Sequence, residues 1–129
     1  MNSKAEPFSK HIDKSGVLVV KSDTVKPEPF DTGREGDKVF LTDIVTLDES
    51  PRMGAGIMEM DHCSFPWTLK YDEFDYVIDG VLEIKIDGST IRGEKGDIIH
   101  IPANSSIEFS TPETTRFAYF VYPANWSEI

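Results

Sequence analysis

The sequence predicts a single all-β domain, built as an antiparallel sandwich or small barrel. Apolar and polar residues alternate with a period of two along the longer runs, which is typical of strands with one face in a core. Nine glycines and eight prolines interrupt the chain so often that helices of ordinary length have little room. The length of 129 residues fits one domain that is large enough to bury a core.

The elements follow in chain order from this pattern. Residues 1–15 are polar and lack sustained periodicity, so we predict an extended N-terminal arm there and a folded domain over 16–129. The segment 24–38 is rich in proline, glycine and charge, which predicts an excursion over the surface. Strands are predicted at 17–22, 38–47, 55–60, 73–78, 81–87, 97–102, 106–110 and 115–123.

Turn residues separate these strands. The predicted turns lie at Asp79-Gly80, Asp87-Gly88, Lys95-Gly96-Asp97 and Pro102-Ala103-Asn104. Many short strands at nearly regular spacing, with no second period, favour a sandwich or barrel over a mixed α/β fold.

The charge balance excludes several partners. Thirteen basic residues stand against 23 acidic ones, a formal net charge of −10. Neither nucleic acid nor an anionic membrane surface finds a basic face here. With one cysteine, no apolar run of about 20 residues and no signal-peptide core, we expect a cytoplasmic protein.

Two intervals carry the first resemblance to a known superfamily. Glu73 precedes Gly80 with six residues between, and Gly96 precedes Pro102 with five between. These spacings resemble the E-x6-G and G-x5-P parts of the cupin motifs, and the resemblance implies an antiparallel jelly-roll β-barrel.

The usual cupin metal ligands are replaced. Metal-binding cupins carry His-x-His three or four residues before that glutamate and another histidine five residues after that proline. Here the positions from Pro66 to Leu69 and Ile107 stand there instead, so the usual three-histidine site cannot form and no metal is expected by that motif. His11, His62, His100 and Cys63 are interpreted as structural or solvated residues.

Carboxylates on otherwise apolar faces are the candidate site residues. Glu73 and Asp75 share a strand face with Val77, and a cupin would point that face into the barrel. Two carboxylates about 7 Å apart against an apolar wall should raise each other's pKa, which suits acid and base work or the capture of a cation. Asp43 and Glu59 also share faces with apolar residues, although an exposed sheet face explains them equally well.

An aromatic run precedes Glu73. Phe65, Trp67 and Tyr71 stand where other cupins keep metal-ligating histidines. They form either the wall of an open pocket that presents a phenol or a solid core that fills the barrel.

Longer strings give a more specific resemblance. FPWTLKYDEFDYVIDG, IPANSSIEFSTP and the terminal YPANW are similar to the EutQ family of ethanolamine-utilisation proteins, as are VKPEPFDTG and LTDIVT. The resemblance covers residues 16–127 and implies a cytosolic bacterial dimer, associated with the microcompartment that metabolises ethanolamine. It also implies an acetate kinase activity that interconverts acetyl phosphate and acetate with ADP and ATP. Some members carry a further N-terminal region, from which we carry nothing over.

Three functions remain open at this point. In the first, an enzyme uses Glu73, Asp75 and Tyr71 as catalytic residues. In that hypothesis Trp67, Glu59 and Asp43 bind a small-molecule substrate, and Mg²⁺ held by the Glu73 and Asp75 carboxylates mediates contact with ATP or ADP. The second is a non-catalytic scaffold that recruits shell or core proteins of the microcompartment. The third is a receptor for an organic cation.

The last predicted strand bears on oligomeric state. Phe117, Tyr119 and Val121 alternate with Ala118, Phe120 and Tyr122, so both faces of the strand are apolar. Only one face can line a barrel, and the other must meet a second layer or subunit, which agrees with a homodimer.

Overall fold

Nine antiparallel strands form the part of the chain that the computed structural model describes, residues 8–129. The strands are β1 (Lys10–Ile12), β2 (Leu18–Val20), β3 (Glu28–Pro29), β4 (Val39–Asp43), β5 (Gly54–Thr68), β6 (Asp72–Ile86), β7 (Ser89–Glu94), β8 (Ile98–Ile101) and β9 (Ser106–Tyr122). Two 3-10 turns, Ser22–Thr24 and Trp126–Glu128, are the helical elements of this region. The all-β class predicted from the sequence is confirmed, and no helix among these residues is long and apolar enough to cross a membrane.

One sheet holds most of the strands in the order β3-β4-β5-β9-β6-β7, with β8 paired to β6. Strands β5, β6 and β9 are 15, 15 and 17 residues long. The first half of β6 lies between β8 and β9, and its second half lies between β7 and β9. These three strands therefore run through both halves of the sheet, the half that contains β8 and the half that contains β7.

Strand β6 joins two segments that the sequence pattern separates. Asp79-Gly80 was predicted as a turn, and that prediction is wrong, because the strand continues through a register shift at this point. Gly80 has φ +76, and a Cβ there would collide with the Thr114 backbone. The glycine marks a bulge that re-aims the strand instead of ending it.

Other boundaries also differ from the predictions. The segments 106–110 and 115–123 are one strand, β9, and β4 ends at Asp43 instead of reaching 47. Strand β7 has no counterpart among the predicted strands. The Asp87-Gly88 turn is confirmed, with both residues at positive φ in a tight hairpin between β6 and β7.

The inner face of the sheet encloses one apolar core. Alternation along β9 buries Phe117, Tyr119 and Val121, so this is the one of its two apolar faces that lines the barrel. Side chains from β4, β5, β6, β8 and β9 join them in a single cluster, so the curved sheet closes around this core.

The described part of the predicted arm begins at Phe8, and residues 1–7 lie outside the described residues. Strand β1 pairs with β2 across the boundary that the sequence analysis set at residue 16. Phe8 and Val25 pack with Ile57 on the outer face of the sheet, where Ala118 also contacts them. This hairpin segment therefore supplies the second layer for part of the outer face.

Another part of that outer face carries exposed, mostly aromatic side chains. Its side chains come from β6, β8 and β9, and we call them the outer aromatic face: Phe74, Tyr76, Ile98, Phe120 and Tyr122. Register brings them side by side, since Phe74 pairs with Phe120 and Tyr76 pairs with Ile98.

Candidate functional site

A pair of buried carboxyl groups lies inside the barrel on β6. Glu73 is 4% exposed and Asp75 is fully buried. The strand holds them between neighbours with apolar inward side chains, because Glu73 pairs with Ile101 and Asp75 pairs with Ile99 on β8. Alternation along the strand thus brings both carboxyls to the inner face, where the sequence analysis expected them.

The two carboxyl groups influence each other's pKa. Neither oxygen of Asp75 receives a hydrogen bond from a donor group among residues 8–129, since the polar group that faces it is the Glu73 carboxyl. Burial, together with the charge of Glu73, raises the pKa of Asp75 well above its usual range. Burial also raises the pKa of Glu73 to about 7, and the hydrogen bond from Asp75 offsets part of that rise. Near neutral pH a neutral Asp75 therefore donates to a Glu73 that is close to half ionised.

Aromatic side chains close the space above Glu73. The remaining cavity has a volume of about 20 Å³, and Glu73 is the carboxyl that lines it. A space of this size holds about one water molecule. Of the two arrangements that the sequence left open, the structure shows the barrel nearly filled by its own side chains. The walls are Phe30, Leu41, Met58, Phe65, Trp67, Tyr71, Phe109, Tyr119, Val121 and Trp126.

Tyr71 and Trp67 form a hydrogen-bonded unit in this wall. The indole Nε1 of Trp67 donates to the Tyr71 hydroxyl at 2.7 Å. Burial and the charge of Glu73 raise the pKa of Tyr71 far above its usual value, so the phenol keeps its proton. Both residues therefore lie at the cavity with Glu73.

Asp43 lies on the other side of the wall. Its carboxylate accepts a hydrogen bond of 2.6 Å from Tyr119, whose ring lines the cavity. Burial and Asp43 raise the pKa of Tyr119, which remains a neutral donor. Asp43 itself borders an open groove of about 380 Å³, together with Lys10, Thr46 and Asn125.

Trp126 separates the groove from the cavity. Its indole lines both spaces and contacts Trp67, Tyr71 and Tyr119 at ring-centre distances of 6.3, 5.9 and 6.0 Å. The residue lies in the short turn Trp126–Glu128, beyond the last strand. Periodicity gave no reason to place Trp126 at the site, because the residue comes after the last strand and lies outside the alternating pattern. The YPANW string was its only signal.

Glu59 lies apart from this group. It is on the outer face of β5, where the guanidinium of Arg116 donates to its carboxylate. The same Arg116 donates to the carbonyl oxygens of Ser22 and Val25, at 2.6 and 3.1 Å. The structure brings Glu73, Asp75, Tyr71 and Trp67 together and places Asp43 next to them, whereas Glu59 belongs to the contact that anchors the N-terminal segment.

The residues do not fit a resident metal of the usual cupin kind. Ile107 and the segment from Pro66 to Leu69 occupy the histidine positions, and within residues 8–129 no three His, Cys, Asp or Glu side chains converge. Mg²⁺ keeps several waters in an octahedral shell, and the cavity beside Glu73 holds about one. We therefore derive no catalytic step through a metal held by Glu73 and Asp75.

The histidines and the cysteine lie outside the cavity. His100 is exposed and stacks on Phe74 with ring centres 4.6 Å apart. His62 is exposed beside Asp61, and the thiol of Cys63 contacts the carbonyl of Lys38.

Comparisons with known proteins agree on one family. The family model described as ethanolamine utilisation protein EutQ matches residues 1–128. The chain is 48% identical over 123 residues to acetate kinase EutQ of Clostridioides difficile (strain 630), covering 93% of this chain and 78% of that protein. It is 44% identical to acetate kinase EutQ of Salmonella typhimurium, covering 95% of this chain but 53%, about half, of that protein.

Solved structures give the same result. The Clostridium difficile EutQ protein superposes with a TM-score of 0.93 at 47% identity, covering 95% of this chain and 92% of that chain. A putative ethanolamine utilization protein q from Salmonella typhimurium gives 0.87 at 43%, covering 96% and 100%. The Cupin_2 domain of an Enterobacter cloacae regulator, at 16% identity and a TM-score of 0.57, covers 65% of this chain and 95% of that chain. It shows the fold alone, and the predicted cupin fold is confirmed.

Proposed function

Because this chain belongs to the ethanolamine utilisation protein EutQ family, we propose that it is an acetate kinase, which moves a phosphoryl group between acetyl phosphate and ADP or between ATP and acetate. The observation that carries the proposal is the 48% identity, over 93% of the chain, to a relative named acetate kinase EutQ. The chain carries no glycine-rich phosphate-binding loop of the P-loop kind, so its phosphate contacts must differ from those of common kinases.

The groove beside Trp126 is the substrate space in this proposal. Acetyl phosphate is far larger than the 20 Å³ cavity, whereas the groove of about 380 Å³ admits it. Lys10 contributes an ammonium group to the groove, although its Nζ already contacts Glu49 at 2.7 Å. Thr46 and Asn125 add polar side chains, and Mg²⁺ arrives as part of the nucleotide complex.

Movement of Trp126 would join the groove to the cavity. Glu73 and Tyr71, which line the cavity, then face the substrate, with Trp67 and Asp43 at its sides, whereas Asp75 acts through Glu73. Tyr71 is the natural hydrogen-bond donor to a phosphoryl or acetyl oxygen, since burial keeps its proton in place. Phosphoryl transfer from ATP to acetate releases no proton at neutral pH. The role proposed for the carboxyl pair is therefore electrostatic.

The test is acetyl phosphate formation from acetate and MgATP. We expect wild type to be active and Glu73→Gln, Asp75→Asn and Tyr71→Phe each to be slower by about tenfold or more. Glu28→Gln, the same change at an exposed carboxylate of β3, is the control and should match wild type. Inactive wild type contradicts the kinase proposal, and equal rates in all variants remove the three residues from the mechanism.

A second candidate is a non-catalytic assembly protein of the cytoplasmic microcompartment that metabolises ethanolamine. The outer aromatic face favours it, because five large apolar side chains exposed on neighbouring strands are typical of an interaction surface. Deletion of residues 1–15 should abolish co-purification with compartment shell or core proteins. Co-purification that survives both this deletion and Phe120→Ser contradicts the assembly role.

A further inference from the structure

The cavity above Glu73 is walled mostly by aromatic and aliphatic carbon, with a few polar atoms among it. The indole N–H of Trp67 donates a hydrogen bond to Tyr71, and the phenolic O–H of Tyr119 donates one to Asp43. Of the described residues that line the cavity, Tyr71 and Trp126 keep donor hydrogens that meet no acceptor among residues 8–129, and Trp126 also borders the groove. The acceptor atoms left for a bound ligand are the oxygens of Glu73, Tyr71 and Tyr119.

Several classes of guest do not match this wall. An anion inside the closed cavity meets the Glu73 carboxylate, and the lining holds no lysine, arginine or histidine to balance it. A divalent metal lacks a third protein ligand and the space for its waters. An alkali cation needs a shell of oxygens, and most of this wall is carbon.

We propose that this cavity binds a small ammonium cation, held by the Glu73 carboxylate and by the faces of Trp67, Tyr71 and Trp126. An ammonium group carries donor hydrogens alone, which complement the oxygens of Glu73, Tyr71 and Tyr119. Its size is close to that of a water molecule, so NH₄⁺ fits the cavity of about 20 Å³ without displacing a wall residue. Aromatic faces attract a desolvated cation, and the ring contacts among these residues place them around one space.

The buried carboxyl pair gives the site its charge. Asp75 has no donor partner among residues 8–129, and Glu73 accepts its hydrogen bond, so the Glu73 oxygen at the cavity is the negative end of the pair. A cation at this oxygen satisfies a buried charge that the fold leaves without a basic partner. A primary ammonium group with a longer tail would need Trp126 to move toward the groove.

The experiment is a titration of the whole protein with NH₄Cl at constant chloride, followed by tryptophan fluorescence and calorimetry. Both tryptophans of the chain, Trp67 and Trp126, border the cavity, so a bound cation changes their emission. We expect a saturable response to NH₄Cl, a weaker one to methylammonium, and none to KCl or tetramethylammonium. A non-saturable response to NH₄Cl, or an equal response to KCl, overturns the proposal.

Two variants separate the charge from the space. Glu73→Gln keeps the shape and removes the charge, and it should weaken binding at least tenfold, whereas Glu28→Gln should bind like wild type. Leu41→Phe keeps the charge and fills the cavity, so it should also abolish binding. Undiminished binding in either folded cavity variant overturns the proposal, and circular dichroism establishes folding.

The affinity of the cavity for NH₄⁺ should also rise from pH 6 to pH 8, as Glu73 ionises. The groups that face it are Asp75 and Tyr71 near it in sequence, Tyr119 on β9 and, behind Tyr119, Asp43 on β4. The tyrosines stay neutral over this range because burial raises their pKa. An affinity that is flat or falls with pH contradicts the role of Glu73. Binding at equilibrium needs no nucleotide, so its failure is distinct from failure of the kinase assay.

Discussion

Two neighbouring carboxyl groups in an apolar interior make stability depend on pH at the scale of single residues. Glu73 has a pKa of about 7 in the folded protein against an ordinary value of 4.5. The folded state therefore holds more protons than the unfolded state between these pH values, and the free energy of unfolding falls as pH rises. The shift corresponds to about 3 kcal/mol, fully present as stability below pH 4.5 and lost by about pH 7.

Removal of both ionisable groups should abolish this part of the pH dependence. We expect Glu73→Gln/Asp75→Asn to match wild type near pH 4.5 and to exceed it by at least roughly 3 kcal/mol at pH 7.5, because the raised pKa of Asp75 adds to the contribution of Glu73. Urea unfolding of both proteins at a series of pH values measures the difference. Parallel curves across this range would show that the pair does not titrate in the folded barrel.

The same pair shows what residue patterns can and cannot predict. Alternation along EFDYVI placed Glu73 and Asp75 on one face, because a strand offers only two directions for a side chain, and the cupin resemblance implied that this face is the inner one. Alternation could not tell that Glu59 would find Arg116, since that pairing depends on which strand lies beside β5. Trp126 was missed because it packs from an irregular turn that has no period.

At the scale of elements, Arg116 attaches the N-terminal hairpin segment to the sheet. Its guanidinium contacts Glu59 and the carbonyl oxygens of Ser22 and Val25, which bring Val25 onto the outer face of β5. Charged donors to these carbonyls should be worth more than neutral ones.

Loss of this anchor should loosen residues 8–25 and leave the barrel intact. We expect Arg116→Met to lower the free energy of unfolding by about 2 kcal/mol and to speed amide hydrogen exchange in β1 and β2. Arg92→Met, at an exposed pair with Glu94 on β7, is the matched control and should change neither. Unchanged exchange in β1 and β2 of Arg116→Met would assign the anchoring to Phe8 and Val25 alone.

The strands were predictable from the sequence where one face is buried and the other is exposed to solvent. Strand β6 from Leu82 to Ile86 follows its alternation closely. Strand β7 escaped prediction because its residues are mostly polar and Ile91 is exposed at the sheet edge. Gly80 reads as a turn in the sequence because nothing local distinguishes a bulge glycine from a turn glycine.

At the scale of the whole molecule, the outer aromatic face is the surface that a second copy would cover. The hairpin segment covers Ile57 and Ala118 but leaves Phe120 and Tyr122 exposed at 40% and 52%. The same strand is apolar on its inner face as well, which is the pattern from which the homodimer was predicted.

We expect two copies of the 14.5 kDa chain to associate through this face. Phe120→Ser should shift the sedimentation coefficient toward the monomer, and Ile91→Ser, at an exposed apolar position on β7, should not. Higher salt should strengthen the wild-type dimer, because each copy carries a net charge of −10. A wild type that sediments as a monomer at all salt concentrations contradicts this interface.

Three strands that run through both ends of the sheet leave the domain without a separable half. Each of these long strands supplies residues to both halves of the sheet. A chain break in β5, β6 or β9 therefore divides the wall of the core in both halves. Neither fragment would contain a closed core. Fragment complementation, or a circular permutation that opens one of these strands, should therefore fail. New chain ends are expected to be tolerated in the loops at 31–38 and 46–52, which lie between strands.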